Sequence, residues 1–558
     1  MIKGRHVIIG PPGTGKTTRI AQSVEKIVAE HRAAGGRVDG QECPVIVASL
    51  TRAAAAEAVG RCDLPPEAVG TIHSFGLRSL DGRRIPKRKE IAEWNERHPA
   101  WTISSLSSED AEIDEELSIS GGGDDGDLML AELELARHQM VPRNQWRAKL
   151  GAFSDAWTLW KDDGRFVDFA DLVELASPDA PLGARVIIAD EAQDCSRLEL
   201  DTLERWASSA GALILVGDTR QTLYAWRGAD PESLMRTPGD TATRFDTLGH
   251  SWRLPRRIHA AAEAWAGKLS IDDPPTYSPR DEDGLVERCD ASLDNPRQAV
   301  ELALERAAEG RRVMILAGCA YQLSATISTL RAMALPYSNP WRRRNTRWNP
   351  MAARRHVSIW DRARALLEPV MAERLWSCRE VFLWAGALRS DGVLCRGAKK
   401  LLESWTDSTY DATAAELARV FEPPEFSKIW RLAYDQPDPA RLATWWRAHI
   451  LARYAEPSIY PVGVIAGPYR DCLDDQGEPL IPVGTCHSVK GAEADVVIIY
   501  PDLSRAGFDA YARGRGPDHD AVIRTFYVGM TRARQELYLC RPSESKGWAS
   551  CIDWPGGL

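Results

Sequence analysis

Short apolar, β-branched runs alternate along this chain with stretches of helical periodicity. In the first half the runs His6–Gly10, Val45–Ser49, Arg185–Asp190 and Leu213–Gly217 predict strands; in the second half Val313–Ala317, Ile481–Cys486, Val496–Tyr500 and Glu536–Cys540 do the same. Strands that alternate with helical patterns imply parallel sheets with crossover helices, so the expected fold class is α/β, in two units. Each unit is interrupted. From about Arg83 to Leu150 the strand signal vanishes, and from about Arg342 to Leu480 the chain turns Trp-rich and helical, as in WDRARALLEP, AAELARVF and LATWWRAHI. Both stretches read as helical insertions. The expected division is a first unit over 1–83 and 151–280 with an insertion over 84–150, then a second unit over 281–341 and 481–558 with an insertion over 342–480.

Composition narrows the class without naming a chemistry. A length of 558 residues suits roughly three or four domains. Hydrophobic residues at 44% and charged residues at 27% are those of an ordinary globular chain. No apolar run approaches the ~20 residues that span a bilayer. The opening MIKGRHVIIG reads as a short strand and not as a signal peptide, so a cytoplasmic protein without a membrane partner is expected. Eleven cysteines occur without a CxxC pair, which argues against a disulfide framework, a zinc ribbon or an iron–sulfur cluster. The net charge of −9 does not advertise a nucleic-acid binder, yet such binding needs a local basic groove and not a basic total. Ser108–Asp127 is acidic and glycine-bearing and is expected to be a loop without fixed structure. Trp341–Trp348, WRRRNTRW, reads either as a phosphate grip with stacking Trp rings or as a solvated hinge at the insertion boundary.

Two motifs carry chemistry. Gly10, Pro11, Pro12, Gly13, Thr14, Gly15, Lys16, Thr17 and Thr18 spell GPPGTGKTT, a full GxxxxGK[ST] match between a predicted strand and the helical run Thr17–Glu30. Glycines let backbone N–H groups turn inward around phosphate oxygens, aided by the helix N-terminus. Lys16 supplies a point charge at the β- and γ-phosphates, and the Thr17 hydroxyl can hold Mg²⁺. The partner element is Val186–Asp194, VIIADEAQD, an apolar strand ending in adjacent carboxylates at the sheet edge where a nucleotide would lie. Asp190 is the expected Mg²⁺ residue, and Glu191 the group that orients and deprotonates the attacking water. Together they predict a nucleoside triphosphatase that uses Mg²⁺.

Further motifs, in order, resemble those of the UvrD/Rep-type superfamily 1 helicases. Ser49-Leu-Thr-Arg-Ala-Ala and Gly70-Thr-Ile-His-Ser-Phe look like the first two DNA-contact motifs, FVDFADL (Phe166–Leu172) like the signature before the Mg²⁺ strand, and GDTRQTLYAWRGAD (Gly217–Asp230) like the most diagnostic stretch. Ser251-Trp-Arg-Leu-Pro, TCHSVKGAEAD (Thr485–Asp495) and YVGMTRA (Tyr527–Ala533) complete the series. The resemblance implies two RecA-like parallel-sheet P-loop domains, each with a helical insertion. It implies that Gln221 senses the γ-phosphate, that Arg253 and Arg532 are arginine fingers, and that Glu493 meets the ribose. It implies DNA contacts at Thr51, Thr71, His73, Phe75, Trp226 and His487. The activity implied is an ATP-dependent translocase or helicase of 3′→5′ polarity on single-stranded DNA and its junctions with duplex, with a protein partner in addition. A DNA-stimulated switch in repair or anti-phage defence, without processive unwinding, is the alternative; the kept Gln221, Arg253 and Arg532 favour the motor.

The chain also departs from the family pattern. Trp252 stands where a Tyr is usual, and Ala492 and Ala494 replace bulky neighbours of Glu493. Only fifteen residues precede Lys16, so the upstream adenine-reading Gln segment is not expected; either Trp252, with Tyr224 as the substitute, stacks on the base with relaxed nucleotide choice, or backbone groups near His6 read adenine. The chain closes soon after Arg532, where a fused nuclease domain is not expected.

Overall fold

The computed structural model describes residues 4–49, 64–104, 106, 125–230, 234, 243–270, 275–340, 342, 347–351, 356–468, 470–544 and 551–554. Thr51 and most of the acidic stretch Ser108–Asp127 lie outside them, as do Trp341, Arg343 and Arg344 of the basic stretch and the side chain of Trp226.

Two parallel sheets organise the chain. The first is built from β1 (Gly4–Ile9), β2 (Val45–Ser49), β3 (Val69–Thr71), β4 (Val186–Asp190), β5 (Ala212–Gly217) and β6 (Thr243–Thr247), in the order β3-β2-β4-β5-β1-β6. Every residue of β2, β4 and β5 is buried, as expected of parallel strands covered on both faces. Their Val, Ile and Leu side chains form one core with Ile20, Val24 and Val28 of the helix Lys16–Ala33. The spacing of those three residues puts them on one helix face.

The second sheet contains β9 (Leu285–Cys289), β10 (Val313–Ala317), β11 (Val483–Thr485), β12 (Ala494–Ile499) and β13 (Ala533–Cys540), in the order β11-β10-β12-β13-β9. The helices Arg256–Ala266 and Pro517–Met530 cover one face, sharing a core of Ile258, Trp265, Ile523 and Phe526 with Val497 and Ile499. Between the sheets, β7 (His250–Pro255) pairs in parallel with β8 (Ser278–Arg280). Leu254 and Tyr277 pack in the same core as those two helices, so the second unit begins near β7 and not at the expected boundary of 280.

The eight strands expected from the apolar runs are present, with ends shifted by a few residues; β11, for example, occupies only Val483–Thr485 of Ile481–Cys486. Five strands, β3, β6, β7, β8 and β9, were not expected. They are short or half-exposed: β6 is Thr-Arg-Phe-Asp-Thr with no buried residue, and β8 has three residues.

Helical bodies occupy both interruptions. In the first, Arg88–Arg97, Asp125–His138 and Ala148–Gly164 pack around Trp94, Phe153, Trp157 and Trp160, with Trp94 edge-on to Trp157 at 4.9 Å. The helix Ala148–Gly164 runs across the expected boundary at 150. Its Lys161 reaches Asp168 at 2.5 Å and also bonds Asp171, while Arg137 meets Asp168 at 3.0 Å and Asp171 at 2.7 Å. Asp168 is the N-cap of the helix Phe169–Glu174, so the FVDFADL stretch joins this body to the first sheet. In the second interruption, helices from Ile359–Met371 to Ile459–Ala466 enclose Trp376, Trp384 and Trp446. No helix among the described residues is long and apolar enough to cross a membrane.

Candidate nucleotide crevice

Register places the chemistry at one edge of the first sheet. β1 pairs with β5 so that Ile9 lies beside Gly217, and β4 pairs with β5 so that Ala189 lies beside Leu215. The phosphate loop, the Asp190–Glu191 pair and the Asp218 turn therefore all leave the sheet at its C-terminal edge, where ligands bind in open parallel sheets. The loop depends on glycine. Gly13 (φ +72) and Gly15 (φ +86) adopt left-handed backbone, and a Cβ on Gly10 would come within 2.2 Å of Lys16 Cγ. Lys16 Nζ donates to Gly10 O at 3.0 Å and lies 3.9 Å from Glu191 Oε1.

Glu191 is held in an unfavourable backbone conformation, φ 52 and ψ 38, at the start of the turn Ala192–Asp194. A non-glycine residue costs of order 1–3 kcal/mol there and persists only where its surroundings impose it. Gln193, fully buried, is one such constraint: its Nε2 donates to Glu191 Oε2 at 2.5 Å and its Oε1 accepts Asp218 N–H at 3.0 Å. Burial would raise the Glu191 carboxyl, but Lys16 and Lys490 outweigh it and hold it down at about 2. Burial and the neighbouring Glu191 charge push Asp190 up to about 7. A carboxyl in that state fits a site that gains from a cation, and Mg²⁺ needs only one or two protein groups when phosphates supply the rest.

The opposite wall comes from the second unit. Arg532 is 2% exposed; its Nη2 donates to Gln221 Oε1 at 2.8 Å, while Gln221 Nε2 donates to Asp218 Oδ2 at 2.8 Å. Burial, reinforced by the charge of Arg253, pushes Arg532 down to about 9. A buried guanidinium beside a second cation fits a polyanionic ligand. Arg253 Nε donates to Glu493 Oε2 at 2.8 Å, and Glu493 also accepts from Arg534 at 2.9 Å. The loop touches this wall directly, since a Cβ on Gly13 would fall 2.3 Å from Arg253 Cβ and the Trp252 N–H donates to Gly13 O at 2.8 Å. Trp252 is 71% exposed, its ring at 82° to that of His250 and 4.4 Å away, and so is accessible to a base. Thr14 is occupied within the loop, its Oγ1 donating to Pro11 O at 2.8 Å, and Thr17 is half-buried in the first helical turn.

Lys490 was not expected. It sits inside the His487–Glu493 motif, and its Nζ bonds Asp194, lies 3.5 Å from Glu191 Oε2 and donates to Gln221 O at 3.0 Å. The motif contained the signal, since its Lys stands midway between His487 and Glu493.

The expected DNA residues are placed unevenly. Thr71 caps the helix Ile72–Ser79, its side chain accepting from Ser74 N–H at 3.1 Å. Burial pushes His73 down to about 4, so its ring is neutral, and it lies edge-on to Phe169 at 6.1 Å. His487 Nε2 lies 3.4 Å from Thr525 Oγ1. Phe75 corrects the expectation: it is 3% exposed, edge-on to Trp206 at 6.0 Å in the core of the first sheet, which leaves no ring face for a base.

Comparison with known proteins agrees with the motif order. Residues 3–227 match the AAA domain family and residues 470–544 the UvrD-like helicase C-terminal domain family. The RecBCD enzyme subunit RecB of Mycobacterium tuberculosis is 38% identical over 74 residues, 13% of this chain; the chain spans only 7% of that protein. The ATP-dependent DNA helicase UvrD2 of Mycobacterium tuberculosis is 23% identical over 597 residues, covering 96% of this chain and 76% of the relative. A probable DNA helicase II homolog of Mycoplasma pneumoniae is 26% identical over 298 residues, 48% of this chain and 40% of that protein. Two matched domains, the first carrying the phosphate loop and Gln221 and the second Lys490 and Arg532, joined by a relative aligned across almost the whole length, make this chain a member of the UvrD-like superfamily 1 helicases.

Proposed function

We propose that this chain is an ATP-driven motor on single-stranded DNA, moving 3′→5′ and separating strands at junctions with duplex. The observation that carries the reading is the crevice itself. Lys16, Glu191 and Gln221 of the first unit face Arg253, Glu493 and Arg532 of the second, with Arg532 bonded to Gln221 at 2.8 Å. ATP bound there would set its phosphates in the glycine loop under Lys16, its ribose near Glu493 and its base on the Trp252 face. Glu191 would take the proton of the attacking water, and Gln221, Arg253 and Arg532 would meet charge developing on the transferred phosphoryl oxygens. Thr17 and Asp190 would hold Mg²⁺, which neutralises charge on the β- and γ-phosphate oxygens when bound.

A triphosphate attracts both walls and its products do so less, so hydrolysis changes the relative position of the units, as a ligand with differential affinity must. Thr71, His73, Trp226 and His487 are the proposed track contacts; a ring stacked on bases suits movement blind to sequence, because every base has a π-face. That the relative aligned over 96% of this chain is an ATP-dependent DNA helicase supports DNA as that track. The test is ATP hydrolysis with and without an oligo-dT strand, followed by displacement of a labelled strand from duplexes bearing a 3′ or a 5′ tail. Stimulation by at least tenfold, with displacement on the 3′-tailed substrate, is expected. Hydrolysis indifferent to DNA would overturn the motor, and displacement from the 5′ tail alone would overturn the polarity.

A further inference from the structure

Beside the sensing residue Gln221 stands Arg220, a charged side chain only 1% exposed that the reaction as described does not use. Its Nη1 donates to both carboxylate oxygens of Glu263 at 3.0 Å. Its guanidinium lies over the rings of Tyr277 at 5.3 Å and Tyr527 at 5.1 Å, whose hydroxyls meet at 3.2 Å. Nε and Nη2 make no hydrogen bond. A guanidinium plane set against two aromatic rings, with one nitrogen on a carboxylate, suits arginine better than lysine, whose ammonium has no plane to stack.

Every member of this cage belongs to the body packed on the second sheet. Glu263 lies on the helix Arg256–Ala266, whose Trp265 Nε1 donates to Ile523 O at 2.8 Å, and Tyr527 lies on the helix Pro517–Met530 that leads into Arg532. Arg220 itself belongs to the first unit, in the turn Thr219–Gln221 that follows β5. All three residues of that turn are gripped from across the crevice. Thr219 O accepts from Arg524 Nε at 3.1 Å, Arg220 fills the cage, and Gln221 accepts from Arg532 through its side chain and from Lys490 through its carbonyl. On its own side the turn is held by Gln193, through Asp218 N–H, and by Asp194, through Leu223 N–H, both at 3.0 Å.

We infer that Arg220 is a positioning residue for hydrolysis. Caged by Glu263, Tyr277 and Tyr527, it makes the Gln221 turn travel with the second unit and so keeps the Gln221 amide aimed at the site Arg532 occupies. The inference rests on the motor reading above. None of the residues proposed to bind the nucleotide, the glycine loop, Lys16, Glu493 and Trp252, is a member of the cage around Arg220. Loss of Arg220 therefore acts on turnover through Gln221 and leaves ATP affinity alone.

The test is a cycle of kcat and KM for ATP at saturating oligo-dT, in wild type, Arg220→Met, Gln221→Ala and the double variant. Arg220→Met is expected to lower kcat at least fivefold with KM within threefold, and to lower kcat less than twofold further once Gln221 is alanine. A smaller loss, or an equal loss in both backgrounds, overturns the role and makes the cage a simple clamp between the units. Should Arg220→Met fail to fold, Glu263→Gln, which keeps the shape of the cage, runs through the same cycle with the same thresholds. A wild-type protein without DNA-stimulated hydrolysis overturns the motor reading instead, and the role with it.

Discussion

Lys490 Nζ lies 3.5 Å from Glu191 Oε2, so a cation from the second unit rests against the carboxylate that faces the phosphate loop of the first. The same ammonium bonds Asp194 and the Gln221 carbonyl. Charges buried in this manner need one another: removing one partner leaves the others desolvated and unpaired. The crevice is therefore an electrostatic joint as well as a site.

Lys490→Met should destabilise the protein by about 3–5 kcal/mol, because Glu191 and Asp194 both lose a buried cation. Chemical denaturation at pH 7 checks this. A loss below ~1 kcal/mol would mean that water or another residue satisfies those carboxylates.

Glu191→Gln should bind ATP within a few-fold of wild type yet turn it over about 10²–10⁴ times more slowly, the usual range for a general base. Equilibrium binding of a fluorescent ATP analogue and single-turnover hydrolysis separate the two effects. If more than a tenth of kcat remained, Glu191 would not be the base.

Trp252→Ala should raise the Kd for ATP by an amount equivalent to about 1–3 kcal/mol, the range for base–aromatic stacking. The ring is 71% exposed, so the melting temperature should hardly move. Unchanged affinity for all four triphosphates would show that the base lies elsewhere.

Lys161→Met tests the ion cluster that joins the first helical body to its sheet. Burial opposes ionisation of Asp168, but Lys161 and Arg137 outweigh it and hold its carboxyl well below the usual carboxylate range. A carboxyl depressed in the fold contributes stability above its unfolded pKa, near 3.9, and loses it as pH falls below that value. The variant should be less stable by about 3–5 kcal/mol at pH 7. The gap to wild type should narrow as pH falls through ~4. Urea unfolding at pH 7 and pH 3.5 reads the difference, and a gap independent of pH would assign the loss to packing.

Contiguous chemistry was the legible part of this chain. Gly10–Thr18, Asp190, Glu191 and Gln221 each sit in a short motif at or after the end of a strand, Arg253 lies within β7 and Arg532 just before β13, and the structure brings them to one crevice. Strands such as β4 were legible for a related reason, since a run buried on both faces must be apolar throughout. β6, with Arg244 and Phe245 exposed at the sheet edge, has no such pattern to read. Phe75 shows the limit of motif transfer, because whether a ring faces solvent or Trp206 is decided by packing and not by its neighbours in sequence. The partners of Arg220 and Lys490 were illegible for the simplest reason: each lies in a distant segment, and only the fold brings the charges together.

The Trp-rich helices between residues 359 and 466 enclose a core of their own, distinct from either sheet, while Tyr460 reaches back to Leu335 O at 2.8 Å and packs on Tyr337 at 5.9 Å. A segment with a private core opens as a separate cooperative unit. Calorimetry should therefore record more than one heat-absorption peak, and amide protons along β10 and β12 should outlast those of the helices when deuterium exchange is followed under mild denaturant.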